Sequence, residues 1–115
     1  MDANGSGLEG KERRLHPRSR IHISIEVRTS EAAPPLRLAT DDLSLGGCYI
    51  ETMFPLDVGA KVFLTLWLKE ERLLTKAVVA TRYPQLGNGF HFLDMSLVDL
   101  LKLNAFIEKV AAESH

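Results

Sequence analysis

Apolar and polar residues alternate along several short stretches of this 115-residue chain. Residues 21–29 carry apolar side chains at every second position, a period of two that predicts a half-buried strand. Five further stretches read as strands separated by turn-forming residues. They span residues 36–44, 45–53, 61–68, 73–83 and 90–95. Six short strands joined by turns predict a small antiparallel β-barrel, with Trp67 expected in its core.

The hydrophobic period changes from strand-like to helical after residue 95. Ser96 is a candidate N-cap, and Asp99 three residues later stands in the capping-box position. Apolar residues then recur at helical spacing, at Leu100, Leu103, Ile107 and Val110. We expect a C-terminal helix over about residues 96–113. Its apolar stripe is expected to pack against the barrel, with contact to a partner as the alternative.

Composition is typical of one folded domain, with 45% apolar and 25% charged residues. Residues 1–10 are small and polar and are expected to form a flexible tail before a barrel domain over residues 11–115. The single cysteine, Cys48, allows no internal disulfide, which fits a reducing compartment. No apolar run resembles a signal peptide or a membrane span. We therefore expect a soluble cytoplasmic protein without membrane insertion.

Charge is concentrated near the N-terminus, although the formal net charge is only −1. Residues 11–20 contain five basic side chains and one acidic one. Within them, Arg14 and Arg18 form an R-x-x-x-R motif, and Pro17 disfavours a helix interior there. In an extended segment the two arginines share a face about 13 Å apart. Each guanidinium can grip a phosphate or the O6/N7 edge of a guanine. A solvated basic tail, or ion pairs with the acidic body, is the open alternative.

A second motif follows at the end of the second predicted strand. Asp42, Ser44 and Gly47 have D-x-S-x-x-G spacing, and Gly46 lies in the same candidate binding loop. On an extended chain Asp42 and Ser44 point to the same side, and a glycine lets the backbone approach a ligand closely. These residues could therefore supply a carboxylate, a hydroxyl and backbone N–H groups to a ligand. An ordinary β-turn accounts for the same residues.

The two motifs, their order and the barrel and helix after them resemble the PilZ domain family over about residues 11–113. This resemblance implies a six-stranded antiparallel barrel, of split-barrel type, that binds the bacterial second messenger cyclic di-GMP. It also implies signalling to an unidentified downstream protein.

The resemblance further implies roles for individual residues. Arg14 and Arg18 would clamp phosphate and the Hoogsteen edge of guanine, and Asp42 would contact the N–H edge. Ser44 would approach a phosphate or guanine, Gly47 would allow close backbone packing around the base, and Gly46 would belong to the same binding loop. Arg13, directly before the first motif, implies two intercalated ligand molecules in place of one. An aromatic residue on a barrel strand stacks on guanine in some members; here Arg82 is the candidate, with Tyr83 beside it.

We interpret the arginine segment as a switch. Without ligand, mutually repelling arginines would leave residues 8–19 mobile; cyclic di-GMP would neutralise them and order the segment across the barrel mouth. The ordered arm would then create or mask a surface for the downstream protein. A PilZ-like protein–protein adaptor that binds no nucleotide is the alternative.

Other chemistries have little support in the sequence. The four histidines lack metal-ligand spacing, and Cys48 lies in an apolar context that favours a buried, inert thiol. Asp41 and Asp42 are adjacent, so on a regular strand they face opposite sides and make a poor acid–base pair. We expect no enzymatic activity, no metal and no cofactor. The outward strand positions His22, Ser24, Glu26 and Arg28 are mixed in sign and poor in aromatics, so we expect no nucleic-acid polymer as a partner.

Overall fold

The computed structural model describes residues 19–113, so the predicted tail at residues 1–10 lies outside the described range. Within this range the chain forms six strands and one helix. The elements are β1 (Ser24–Arg28), β2 (Leu36–Leu43), β3 (Gly47–Glu51), β4 (Lys61–Leu68), β5 (Glu71–Tyr83), β6 (Gly87–Leu93) and α1 (Leu97–Glu113).

The strands close into a barrel in the order β1-β2-β3-β6-β5-β4, and every neighbouring pair is antiparallel. β1 completes the ring by pairing with both β2 and β4. The six-stranded antiparallel barrel predicted from the alternating pattern is therefore confirmed.

The barrel interior is filled by the side chains that the period of two assigns to one face. Ile21, Ile23, Ile25 and Val27 are all buried, as their alternation predicts. Burying each such aliphatic side chain contributes about 1.5–3 kcal/mol. Cys48 is also fully buried. The rest of the core is Leu43, Ile50, Val62, Leu64, Leu66, Leu68, Leu73, Ala77, Val79, Phe90 and Leu103.

Helix α1 begins where the sequence predicts it. The Ser96 side-chain oxygen accepts a hydrogen bond of 3.1 Å from the Asp99 amide, which satisfies one of the unpaired N–H groups of the first turn. Leu103 is fully buried, and Ile107 and Val110 pack against the barrel core. The prediction that the apolar stripe faces the barrel is confirmed.

Several strand boundaries differ from the predicted ones. β1 begins at Ser24 and not at residue 21, and β3 is confined to Gly47–Glu51. β5 begins at Glu71 and not at residue 73, because the tight turn is made around Lys69, which adopts a positive φ of 57°. A two-residue connection therefore joins β4 to β5.

The start of β6 was also misplaced by the sequence pattern. "PQLGNG" resembles a turn, but β6 begins at Gly87 and pairs with β3 through Gly87 and Gly89. A Cβ at Gly87 would collide with the carbonyl oxygen of Ile50. These glycines thus permit close strand approach and do not end the strand.

Trp67 does not lie in the core, contrary to expectation. It is half-buried on the outer face of β4, because Leu66 and Leu68 on either side of it point inward. The guanidinium carbon of Arg72 lies 5.4 Å from the centroid of the Trp67 ring, a cation–π arrangement.

Candidate ligand-binding site

The D-x-S-x-x-G residues begin at a β-bulge in β2. Thr40 pairs with Ile50 and Asp42 pairs with Tyr49, so Asp41 is an extra residue in this strand. Thr40 is buried inside, whereas Asp41 and Asp42 are both half-buried. The prediction that the two carboxylates face opposite sides assumed an unbroken strand, and the bulge interrupts that alternation.

The turn after β2 is held by the side chain of Ser44. Its hydroxyl oxygen accepts hydrogen bonds from the amides of Gly46 and Gly47, each 3.2 Å long. The same hydroxyl donates to the Gly47 carbonyl oxygen at 3.3 Å, and Ser44 is only 5% exposed. The structure thus shows the turn-forming use of Ser44. Its predicted contact with a phosphate or guanine stays a prediction.

Gly47 is fixed by the pairing of β3 with β6. It lies opposite His91, and a Cβ at this position would collide with the carbonyl oxygen of Phe90. Beside it, the Phe92 amide donates to the Gly46 carbonyl oxygen at 2.9 Å. The motif's last glycine is therefore required by strand packing whether or not a ligand is bound.

Two tyrosines lie beside each other on the outer face of the barrel. The ring centroids of Tyr49 and Tyr83 are 6.1 Å apart and the rings are tilted by 58°. They lie on strands that flank β6, where Gly87 and Gly89 leave the surface without bulky side chains. An added Cβ at Gly87 would lie 2.7 Å from the Tyr49 hydroxyl oxygen. We call this pair the tyrosine platform.

The sequence analysis did not single out Tyr49 as a candidate site residue. Two features could have pointed to Tyr49: its outward position on β3, and the two glycines on the neighbouring strand β6 that face it. Arg82, the residue predicted to stack on a guanine, has its Nε 3.9 Å from a carboxylate oxygen of Asp57. Tyr83 follows it directly and is 49% exposed.

The surface around Tyr49 is acidic. Burial raises the pKa of Tyr49 above its ordinary value of 10.0, and neighbouring ionisable groups raise it further. In decreasing order of effect these groups are Glu51, Tyr83, Asp41 and Asp42. Three of the four are carboxylates, so the field at this face opposes negative charge. A dianionic ligand would need cations from elsewhere in the chain.

The first described residue, Ser19, is held beside the D-x-S-x-x-G turn. Ser19 and Leu43 exchange two backbone hydrogen bonds of 3.1 and 2.9 Å, and Leu43 lies between Asp42 and Ser44. The predicted site residues Arg13, Arg14 and Arg18 lie outside the described residues. Arg18 is nevertheless covalently bonded to Ser19, which is fixed beside the D-x-S-x-x-G turn.

Within residues 19–113 there is no group of three or more histidine, cysteine, aspartate or glutamate side chains arranged to hold a metal ion. In the same range, α1 is neither long nor apolar enough to cross a membrane.

The family of the chain follows from comparison with known proteins. The PilZ domain profile matches residues 12–109, which is most of the sequence. This chain therefore belongs to the PilZ domain family, as the motifs and their order predicted. A search of curated protein sequences gave no match.

Solved structures share the fold. The inhibitor of motility MotI/DgrA of Bacillus subtilis superposes with a TM-score of 0.75 at 16% identity, covering 90% of this chain and 53% of that protein. YcgR of Escherichia coli in complex with c-di-GMP superposes with a TM-score of 0.74 at 20% identity. The match covers 89% of this chain and 47% of YcgR. The separate PilZ domain of YcgR with c-di-GMP superposes with a TM-score of 0.73 at 20% identity. The match covers 89% of this chain and 94% of that domain. This chain thus spans about half the length of the first two proteins.

Proposed function

We propose that this chain is a cyclic di-GMP receptor. The observation that carries the proposal is the pair of backbone hydrogen bonds between Ser19 and Leu43, which attaches the arginine segment next to the D-x-S-x-x-G turn. Membership of the PilZ family and the likeness to YcgR, solved with c-di-GMP, support the same ligand.

Guanine and phosphate would be recognised by different parts of the site. The tyrosine platform offers an aromatic surface to a base, and base–aromatic stacking contributes about 1–3 kcal/mol. Asp42 pairs with Tyr49 on the neighbouring strand, and its carboxylate would accept hydrogen bonds from the N–H edge of guanine. Because this face is acidic, the phosphates would be held by Arg14 and Arg18.

The number of ligand molecules depends on the cations available. Arg13 adds a third guanidinium next to the R-x-x-x-R motif, which would offset the charge of two intercalated molecules. We therefore propose a stoichiometry of two cyclic di-GMP molecules for each chain.

Ligand binding would act through the arginine segment. Cyclic di-GMP would neutralise the clustered arginines and hold the segment against the tyrosine platform and the D-x-S-x-x-G turn. The changed surface would then be recognised by a downstream protein. The name of MotI, inhibitor of motility, describes a protein of this fold with a regulatory role.

Titration calorimetry with cyclic di-GMP tests the proposal. The wild type should bind two ligands, and Arg14→Ala or Arg18→Ala should each weaken binding by about tenfold or more, because each removes a charge-assisted hydrogen bond. Arg28→Ala is the matched control, since Arg28 lies on β1 and donates to the Glu31 carbonyl oxygen. Wild-type affinity in both arginine variants would refute the proposed clamp.

A PilZ adaptor that ignores nucleotide is the second candidate. One observation favours it: Met53, Phe54 and Leu86 are 65%, 86% and 64% exposed on neighbouring loops, where Thr52 and Leu86 are hydrogen-bonded. Exposed apolar clusters mark protein contacts. An absence of binding at micromolar cyclic di-GMP, in a folded wild type, would select this candidate.

A further inference from the structure

A separate cavity lies between α1, the segment before β1, and the end of β4. Its volume is about 520 Å³, within the range of small-molecule pockets. It is lined by Arg20, Ile21, His22, Ile23, Ser24, Trp67, Lys69, Phe106 and Val110. None of these residues belongs to the R-x-x-x-R or D-x-S-x-x-G motifs.

The charge of the lining has one sign. Arg20 and Lys69 are cationic, His22 adds an imidazole, and no described lining residue is acidic. Arg20 contacts the Asp41 carboxylate at 3.4 Å, but its side chain is 78% exposed, so this pair is weak. The cavity therefore attracts anions, in contrast to the acidic surface around Tyr49.

The remaining lining is apolar and aromatic. Phe106 and Val110 of α1 are half-buried against the core and form one side, and Trp67 contributes its ring from β4. The guanidinium of Arg72, which is not part of the lining, lies over the Trp67 ring and adds a further positive charge nearby. A flat apolar group next to an anion fits this combination.

The wall opposite α1 is held in place by Thr40. The Thr40 hydroxyl donates to the Ile21 carbonyl oxygen at 2.7 Å and accepts from the Ile23 amide at 3.0 Å. Its carbonyl oxygen lies 2.9 Å from His22 Nδ1, so that nitrogen must be the donor. These bonds fix the segment to β2, and the cavity is preformed.

We propose that this cavity is a second binding site, which takes an anion carried on a flat apolar ring, such as an aryl phosphate or aryl carboxylate. The site lies on the β1–β4 side of the barrel, shares no lining residue with the tyrosine platform, and does not depend on cyclic di-GMP binding.

The chain's only tryptophan makes the test specific, since Trp67 gives a single indole N–H signal in a ¹⁵N correlation spectrum. Phenyl phosphate is added to the ¹⁵N-labelled full chain without cyclic di-GMP. The Trp67 signal should shift in a saturable manner. Phenol, which lacks the anion, and inorganic phosphate, which lacks the ring, should each require at least about tenfold higher concentration. Equal shifts with either control compound would overturn the proposal.

A pair of lysine variants supplies the matched control. Lys69→Gln should weaken phenyl phosphate binding about fivefold, because it removes one cation from the lining. Lys61→Gln, at the start of β4 and likewise exposed, is not part of the lining and should bind like the wild type. Amide spectra that overlay with the wild type establish that both variants are folded. Equal affinity in the two variants would overturn the proposal.

A competition experiment separates this site from the proposed receptor function. Saturating cyclic di-GMP should leave the affinity for phenyl phosphate at Trp67 unchanged. Displacement of phenyl phosphate by cyclic di-GMP would show a single shared site and overturn the proposal. If cyclic di-GMP fails to bind at all, the phenyl phosphate result still stands by itself.

Discussion

Ser19 and Leu43 are joined by two backbone hydrogen bonds, 3.1 and 2.9 Å long, one residue before the turn that Ser44 closes. This bridge fixes the point at which the N-terminal segment meets the barrel. A ligand that contacts both the segment and the turn would find their junction already fixed, which lowers the entropic cost of binding.

Tyr83 and Arg82 can be distinguished as stacking residues. Tyr83→Ala should weaken cyclic di-GMP binding about tenfold, because base–aromatic stacking contributes about 1–3 kcal/mol. Arg82→Ala should have a smaller effect, since its guanidinium already faces Asp57. Calorimetry on the two variants provides the comparison. A larger loss of cyclic di-GMP affinity in Arg82→Ala than in Tyr83→Ala would show that the arginine is the stacking residue.

Gly47→Ala should destabilise the barrel by about 3 kcal/mol, at the upper end of overpacking effects, because the new methyl group meets the Phe90 carbonyl oxygen. Urea denaturation gives the free energy of unfolding. The control is Gly59→Ala: the added Cβ has nothing within 4 Å, and only the positive φ of 93° is strained, at about 1–2 kcal/mol. If Gly59→Ala proved the more harmful of the two, the steric explanation would be wrong.

Asn88 should prove one of the most important polar residues for stability. Its buried side chain accepts from the Leu56 amide at 2.7 Å and donates to the carbonyl oxygens of Leu56 and Thr81 at 2.9 and 3.1 Å. Asn88→Ala leaves these groups unsatisfied and should cost about 3 kcal/mol or more in the free energy of unfolding. Asn104→Ala on α1 is the control and should change it by less than about 1 kcal/mol. Similar costs in both variants would contradict this role.

Tyr49 should make stability fall at alkaline pH. Its pKa is raised in the folded state by burial, then by Glu51 and the other neighbours, so folding favours the protonated phenol. That contribution is complete below pH 10.0, the ordinary value, and is lost as pH rises from there through the folded pKa. Absorbance titration of wild type minus Tyr49→Phe should give a midpoint above 10.0.

The Glu51→Gln variant tests the cause of this shift. It removes the largest electrostatic contribution and should move the Tyr49 midpoint downward. An unchanged midpoint would show that Glu51 does not contribute to the raised pKa of Tyr49.

The barrel and its helix were predictable because their hydrophobic periods are regular. Ile21, Ile23, Ile25 and Val27 alternate without interruption, and Leu103, Ile107 and Val110 keep a helical spacing. Such patterns depend on neighbouring residues only, so the sequence is sufficient to identify them.

The structural features that the sequence did not predict depend on contacts between strands that are distant in the sequence. Asp41 is a bulge residue only because of its register against β3, and Gly87 continues a strand only because Ile50 and Tyr49 approach it. Trp67 follows the outward positions of β4 even though its neighbours are all apolar. Nothing within a short window of sequence reports these relationships.

Closure of the barrel also restricts how a partner can recognise this domain. β1 has β2 on one side and β4 on the other, and each of the other described strands is likewise enclosed. Among the strands of residues 19–113, an incoming peptide finds no open barrel edge to which it could add as a seventh strand. Recognition must then use side-chain surfaces, so a few substitutions on exposed loops could redirect the domain to a different partner without disturbing its backbone.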